Sequence, residues 1–387
     1  MADRPSAAGT GAVPLVDHHA HSVVREVADR AAFEQHLTES NEPAGVGCSF
    51  FDSFLGASVL HACAPVLGLP PTATPEQYLA RRAELGGEEA NRRLLRAAGV
   101  QTWLIDHGFR GDDLVDVPEF AELGGAPVRR IARLEHVAES VAAEGVTAAG
   151  FAEAFAQRLA QELSGPDAAV GCKSVLAYRY GLDVGPAEPT PAEVREAAAQ
   201  WLAGARAGVT ARVEHPVLLR HLVWTALRAG VPLQFHTGYG DADLEIHRSN
   251  PALLTGLIRS AASFGTPIML LHCYPYHREA AYLAGVYPHV YFDIGLAVNY
   301  VGHRAAEVLA EALESVPFHK VLYSSDAFAL AELHLLGAVN FREALAVVLE
   351  PLVRRQARSE EDVARVATMI GAGNARRVYR LPDEEIT

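Results

Sequence analysis

Short runs of apolar residues alternate along this chain with longer segments whose apolar residues recur at helical spacing. The short runs have the length of buried strands, whereas the longer segments have the period of amphipathic helices. Strands that alternate with helices predict a parallel sheet, and eight such units predict a (β/α)8 TIM-type barrel of the α/β class. The predicted strands cover residues 12–16, 100–105, 127–134, 168–177, 231–235, 267–271, 290–293 and 321–323.

The segment between the first two predicted strands is long. Residues 22–99 have helical spacing, which is interrupted at 67–71 by one glycine and two adjacent prolines of the kind that end helices. We interpret 22–99 as a helical insertion within one domain that spans residues 1–387, because no linker-like run follows it. The alternative fold is an open doubly wound sheet, but no Gly-x-Gly-x-x-Gly fingerprint follows any predicted strand.

The composition limits the classes of binding partner that are expected. The formal net charge is -14, half of the residues are hydrophobic, and no basic block is present, so nucleic acid and anionic membranes are not expected as partners. No apolar run reaches the length of a membrane span, and the N-terminal residues lack the apolar core of a signal peptide. We expect a cytoplasmic protein that acts on a small molecule, with a homo-oligomer left open. The cysteines form no Cys-x-x-Cys pair or disulfide framework; they are Cys48, Cys63, Cys172 and Cys273.

Residues that can bind a metal ion lie at the ends of several predicted strands. In a barrel, the C-terminal strand ends converge on one mouth, so these side chains are expected to meet there. Imidazoles and a carboxylate are the ligands of a zinc-like ion that keeps one open position. Each residue alone could equally be an ordinary cap or surface residue, so the prediction of a metal site depends on the whole set. The set is His19, His21, Lys173, His236, His272 and Asp326.

Lysine is scarce in this chain. It occurs only at Lys173 and Lys320, against 31 arginines. A lysine that is retained where arginine serves as the general cation suggests that its primary amine is needed.

The motifs around these residues resemble the amidohydrolase superfamily of metal-dependent barrels. The closer resemblance is to the amidohydrolase-2 branch and, within it, to the FluG-like group, which is related to the domain fused to glutamine-synthetase-like enzymes. The resemblance covers almost the whole chain after Pro14. The residues that carry it are Asp17-x-His19-x-His21, Gly171-Cys172-Lys173-Ser174, Ala177-Tyr178-Arg179-Tyr180-Gly181-Leu182, His236-Thr237-Gly238-Tyr239-Gly240-Asp241, Leu271-His272-Cys273-Tyr274-Pro275, Tyr291-Phe292-Asp293-Ile294-Gly295, Asn374-Ala375-Arg376-Arg377-Val378-Tyr379 and Asp326.

The resemblance implies roles for the strand-end residues. It implies His19, His21 and Asp326 as metal ligands, with His236 as a fourth ligand or a bridge to a second ion. It places His272 near the metal, as a ligand or as a group that polarises the substrate carbonyl, and it implies one or two divalent ions, with zinc favoured.

The sequence leaves two roles open for Lys173. Some superfamily members carry a carbamylated lysine on the fourth strand, where it bridges two metals. The alternative is a structural pair between Lys173 and a buried carboxylate such as Glu135.

Other polar residues are candidates for substrate binding. Arg179 could hold a substrate carboxylate in a bidentate contact, although a structural ion pair is an equal alternative. Arg133 and Glu135 lie at the third strand end, and Tyr178 and Asp241 lie in the motifs that follow the fourth and fifth strands. Asp106, after the second strand, is expected to cap a helix.

Two enzymatic functions fit these residues. The first is hydrolysis of an amide-type C–N bond in a small carboxylate-bearing molecule, such as a γ-glutamyl amide, with Asp326 as the base. The second is metal-dependent, non-oxidative decarboxylation, which also occurs in the amidohydrolase-2 branch. A metal-binding protein without catalysis is a third reading, and a candidate base beside a full ligand set argues against it.

Overall fold

The structure, a computed structural model, describes residues 13–108, 114–206, 212–355 and 358–382. One sheet of seven parallel strands lies at its centre, and the strands are neighbours in the order in which they occur in the sequence. The strands are β1 (Leu15–Ala20), β2 (Val100–Asp106), β3 (Val128–Arg133), β4 (Gly171–Ser174), β5 (Leu233–Thr237), β6 (Ile268–His272) and β7 (Val290–Phe292). The predicted α/β class, with parallel strands alternating with helices, is confirmed.

The apolar runs form strands because the sheet is covered on both faces. Every residue of β1, β4, β5 and β6 is buried, as is typical of parallel sheets between helical layers. One core cluster joins residues of β1, β2, β3 and β6 with the C-terminal helix, and side chains of such distant strands can meet only inside a curled sheet. That cluster includes Val16, Leu104, Ile131, Met269, Leu271 and Tyr379.

Helices connect the strands throughout. Between β1 and β2 lie α1 (Arg30–Gln35), α2 (Phe54–Ser58), α3 (Ala64–Val66), α4 (Pro75–Leu85) and α5 (Gly87–Ala98). The helices between β2 and β5 are α6 (Val117–Gly124), α7 (Leu134–Ala143), α8 (Phe151–Glu162), α9 (Leu176–Arg179), α10 (Pro191–Arg206) and α11 (Pro216–Ala229). The later helices are α12 (Thr255–Ala261), α13 (His277–Val286), α14 (Gly295–Tyr300), α15 (Ala305–Leu313), α16 (Ala331–Arg355), α17 (Glu360–Thr368) and α18 (Asn374–Tyr379).

Short turns of other helix types complete the secondary structure. Turns of 3₁₀ helix cover Ile246–Ser249, Pro251–Leu254, Ala262–Phe264, Gly302–Arg304 and Phe318–Lys320, and π-helical turns cover Val59–Cys63 and Met369–Gly373. None of the helices within the described ranges combines the length and the apolar composition that a membrane crossing requires.

A buried ion pair attaches the helices between β1 and β2 to the long helix α16. Arg82 Nε donates to Glu332 Oε1 at 2.8 Å, and the Tyr78 hydroxyl donates to the same oxygen at 2.8 Å. Glu332 is fully buried, so removal of either donor would leave a buried charge less well compensated.

The prediction of a regular eighth strand at residues 321–323 is wrong. Val321 makes only a single bridge to Phe292 of β7. Asp326 and Ala329 have φ angles of 49° and 64°, which lie outside the strand region and prevent a continuous ladder. The irregular segment 321–329 nevertheless lies between β7 and β1: Leu322 N donates to Phe292 O at 3.1 Å, and His18 N donates to Tyr323 O at 3.1 Å.

Candidate metal centre

Three imidazoles surround the carboxylate of Asp326. Its Oδ1 lies 3.1 Å from His19 Nε2 and 3.6 Å from His21 Nε2, and its Oδ2 lies 3.4 Å from His272 Nε2. We call His19, His21, His272 and Asp326 the histidine–aspartate cluster. β1, β6 and the segment 321–329 supply these residues at one end of the sheet, where the sequence pattern predicts that they meet.

Lys173 and His236 adjoin this cluster. Lys173 Nζ lies 2.7 Å from His19 Nε2, and the His236 ring centroid lies 4.7 Å from that of His272. Among the described carboxylates, none forms an ion pair with Lys173. Burial lowers the pKa of Lys173. The alternative pairing with Glu135 is not what the structure shows, because Glu135 accepts hydrogen bonds from Ser174 Oγ at 2.6 Å and Val175 N at 3.0 Å.

The residues of the cluster fit a divalent ion. Ligand atoms of His19, His272 and Asp326 all lie within 4.8 Å of one another. Within the described chain, His272 Nε2 and His236 Nε2 are buried atoms without a hydrogen-bond partner, and such atoms normally have one. A cation that accepts several of these lone pairs would satisfy them, and imidazole with carboxylate suits zinc-like ions.

Electrostatics hold these groups in the protonation states of metal ligands. Burial lowers the pKa of His19 and His236 well below the usual value and that of His272 to about 4, so the imidazoles are neutral at pH 7. Burial opposes ionisation of Asp326, but His272 and His19 hold its pKa well below its usual value. Neutral imidazoles and an ionised carboxylate are the forms that bind a metal.

Asp106 is a member of this site that the sequence analysis missed. It does not cap a helix as expected; it is the last residue of β2, and its ligand oxygen lies within 4.8 Å of ligand nitrogens of His19 and His21. Arg133 binds it through Nη2 at 2.6 Å and Nε at 3.0 Å. Although burial opposes ionisation, Arg133 holds the pKa of Asp106 well below its usual value. Its position at the end of a predicted strand was the sequence feature that could have identified Asp106 as a site residue.

Two buried aspartates fix the backbone on either side of the cluster. Asp293 accepts from His272 N at 2.9 Å and from Gly295 N at 2.7 Å, and its Oδ2 lies 2.9 Å from His18 Nε2. Asp17 accepts from Ser325 N at 3.0 Å, beside Asp326, and burial raises its pKa to about 7. These bonds orient the segments that carry His272 and Asp326 without touching a ligand atom.

A cavity of about 520 Å³ opens above the cluster. Of the predicted substrate-binding residues, Arg133, Tyr178, Arg179 and Asp241 line this cavity, together with Lys173, His236 and Asp326; Glu135 is not among the described residues that do so. Arg179 Nη1 also lies 3.1 Å from Glu139 Oε1. Tyr178 packs on the His236 ring with centroids 4.4 Å apart, and Gly240 permits this because a Cβ there would collide with the Tyr178 hydroxyl.

The cavity wall also contains residues that the sequence pattern did not reveal. Glu39, in the loop after α1, and Asn299 and Tyr300, in α14, all line it. Glu39 is in a loop without a periodic pattern, and α14 is a short helix, so only the folded chain shows that these residues face the same space as Asp326.

Comparisons with known proteins agree with this geometry. The family model described as Amidohydrolase, Amidohydro_2, matches residues 16–381. Protein fluG of Emericella nidulans is 30% identical over 407 residues, which cover 96% of this chain and 46% of fluG, so the chain spans about half the length of this relative.

Solved structures share the fold. A crystal structure from Lactobacillus casei, described as that of a metal-dependent hydrolase, has a TM-score of 0.83 and 30% identity, covering 95% of this chain and 96% of that one. A uronate isomerase from Bacillus halodurans has a TM-score of 0.65 at 15% identity, over 96% and 94% of the two chains, and shows the fold alone. The match over residues 16–381 establishes that the chain belongs to the amidohydrolase-2 family.

Proposed function

We propose that this protein hydrolyses an amide-type C–N bond in a small carboxylate-bearing molecule, with a γ-glutamyl amide as the leading example. The observation that carries the proposal is the Asp326 carboxylate within 3.6 Å of three imidazoles at the base of a cavity. We further infer one (β/α)8 barrel domain, in which the segment 321–329 takes the eighth strand position and residues 22–99 are a helical insertion.

The proposed ligands of a divalent ion, with zinc favoured, are His19, His21 and Asp326, with His236 next. When bound, such an ion supplies Lewis acidity and makes a water molecule more acidic. The protein's own contribution is to keep the imidazoles of His19 and His236 neutral by burial and to bring the ligands together. Asp293 and Asp17 hold the supporting backbone.

Asp326 and His272 have the positions needed for proton transfer and charge stabilisation. Asp326 is ionised and lies at the cavity floor, so it can accept a proton from the water that attacks the carbonyl carbon and return it to the leaving nitrogen. His272 Nε2 lies 3.4 Å from Asp326 Oδ2 without a hydrogen bond within the described chain, so it can interact with the carbonyl oxygen as negative charge develops there.

We infer that Lys173 is carbamylated. Its amine is buried, has no carboxylate partner among the described residues, and has a pKa lowered by burial; a neutral amine is the form that reacts with carbon dioxide. The resulting carbamate is an anion and adds a carboxylate-like ligand beside His19. Arginine cannot take this role, because it stays protonated.

Arg179 is the proposed anchor for the substrate carboxylate. Its contact with Glu139 uses one nitrogen, and a guanidinium has five N–H donors. Arg133 is less suited to this role, because Asp106 already engages two of its nitrogens.

The test combines metal analysis with product identification. Purified protein should contain divalent metal and should release amine or ammonia from γ-glutamyl or N-acyl amides. Asp326→Asn should abolish turnover, because the base and a ligand are lost together. Arg179→Met should mainly raise KM, whereas the exposed Arg228→Met should change neither constant. Release of carbon dioxide from an aromatic or unsaturated acid, without amine or ammonia, would contradict hydrolysis and identify a decarboxylase.

A further inference from the structure

The carboxylate of Glu39 faces the cavity from the loop that follows α1. The Tyr300 hydroxyl donates a hydrogen bond to Glu39 Oε1 at 2.8 Å, and both residues line the cavity. Tyr239 supports this arrangement, because its ring centroid lies 5.4 Å from that of Tyr300. Glu39 is therefore held in place by an uncharged donor, and no described cation forms an ion pair with it.

Asn299 presents an unused acceptor on the same wall. The residue is 1% exposed, and its Nδ2 donates to Ser325 O at 3.1 Å. Its Oδ1 is buried without a hydrogen-bond partner among the described residues, and Asn299 lines the cavity.

The cationic residues of the cavity lie on the other side of its mouth. Arg133 ends β3 and Arg179 follows β4, whereas Asn299 and Tyr300 follow β7. The strands are ordered β1 to β7, and the segment 321–329 bonds to both β7 and β1. In a ring of this order, the ends of β3 and β4 lie across from β7 and that segment. The mouth therefore has guanidinium groups on one side and acceptors on the other.

We infer that Glu39 binds a primary ammonium group of the substrate. The substrate class is then a conjugate that keeps a free ammonium group, as in a γ-glutamyl amide. The inference rests on the proposed function only in taking this cavity as the substrate site. An ammonium group has three N–H donors, and the carboxylate of Glu39 can accept from them.

The charge environment of Glu39 also favours a cation. Burial, together with the negative charges of Asp326 and Asp241, raises the pKa of Glu39 to about 7. An ammonium group beside Glu39 would offset that repulsion and favour the ionised carboxylate.

The experiment compares ligand pairs that differ only in the ammonium group. Isothermal titration calorimetry of the metal-loaded protein would use L-glutamate against glutarate and 4-aminobutyrate against butyrate. We expect each ammonium-bearing ligand to bind roughly 10- to 100-fold more tightly, as is typical of a hydrogen bond to a charged group. Glu39→Gln should remove this preference, and a thermal unfolding transition like that of the unaltered protein would show that the variant is folded.

A matched control uses the same substitution three positions away. Glu42 is exposed and does not line the cavity, so Glu42→Gln should keep the full preference. Equal affinities within each pair in the unaltered protein, or no measurable binding by any of the four ligands, would overturn the inference. Retention of the preference by Glu39→Gln would overturn it as well.

The outcome can be separated from that of the proposed function. Amine release would be measured with γ-glutamyl anilide and with glutaryl anilide, which lacks the ammonium group. A preference in binding without any amine release would refute hydrolysis and support the ammonium site. Amine release at equal rates and KM from both anilides would support hydrolysis and refute the ammonium site.

Discussion

Asp293 provides a quantitative test of how the site is supported. The Tyr379 hydroxyl accepts from Gln234 Nε2 at 2.8 Å and lies 3.1 Å from His18 Nδ1. The hydroxyl proton therefore points at His18 Nδ1, which assigns the imidazole proton to Nε2, 2.9 Å from Asp293 Oδ2. Asp293→Asn retains an oxygen for the two backbone N–H groups but places an NH2 group against the Nε2–H donor.

Two estimates of the cost of Asp293→Asn agree. Loss of a hydrogen bond to a charged group typically costs about 1.5–3 kcal/mol. Burial opposes the ionisation of Asp293, but His18 and the other donors lower its pKa from 3.8 to about 2, a shift that corresponds to about 2 kcal/mol. We therefore expect Asp293→Asn to lower the free energy of unfolding by about 2–3 kcal/mol at pH 7.

The pH dependence has a defined sign. Because the folded-state pKa of Asp293 is depressed, its contribution is complete above the unfolded value of 3.8 and is lost as the pH falls through about 2. Between pH 5 and pH 3 the difference between the unaltered protein and Asp293→Asn should shrink by about 1 kcal/mol. Urea denaturation at fixed metal concentration measures this, since metal bound to the native state would otherwise shift stability.

A double-mutant cycle with His18→Leu isolates the contact. The coupling between Asp293→Asn and His18→Leu should be about 1–3 kcal/mol, whereas additivity within about 0.5 kcal/mol would refute the assigned interaction. The control is Asp183→Asn, because Asp183 binds Arg248 at 2.8 Å but is 48% exposed. That surface pair should contribute no more than about 1 kcal/mol.

Three further substitutions test the site. Alanine at both His19 and His21 should abolish stoichiometric metal by elemental analysis, and full retention of metal would exclude these residues as ligands. Lys173→Arg should lose the carbamate adduct in an intact-mass measurement under carbon dioxide, together with one equivalent of metal; an unmodified lysine and one metal in the unaltered protein would contradict carbamylation. Arg133→Met should lower stability by about 3–5 kcal/mol because it leaves Asp106 as a buried unpaired charge; a loss below about 1 kcal/mol would show that this pair is not buried in solution.

The strand positions of the histidines could be predicted from sequence because burial is encoded locally. The apolar runs before His236 and His272 correspond to β5 (Leu233–Thr237) and β6 (Ile268–His272), and parallel topology then brings the strand ends together. The regular form of the eighth strand could not be predicted. The positive φ of Asp326 depends on hydrogen bonds to β1, which include Asp326 N to His19 O at 3.1 Å.

The partners of individual charged residues could not be predicted from the sequence pattern. Asp106 was expected to cap a helix, because nothing local identifies Arg133 as its partner. The scarcity of lysine was an ambiguous signal, since Lys320 has a structural use: its Nζ donates to Tyr287 O, Pro288 O and Val290 O at 3.1, 2.7 and 3.0 Å. The argument for carbamylation therefore depends on the buried position of Lys173 rather than on scarcity.

The contact between β1 and the segment 321–329 affects how the chain folds during its synthesis. Ser325 and Asp17 hydrogen bond across 308 positions of the chain. At a typical elongation rate, roughly 15–60 s separate the synthesis of these two residues. Until then, one edge of β1 has no partner, and an open apolar strand edge is a template for association with other chains. The nascent chain therefore carries its histidines on an unprotected strand for most of translation, which makes the yield of folded protein sensitive to elongation rate and to chaperones that cover that strand.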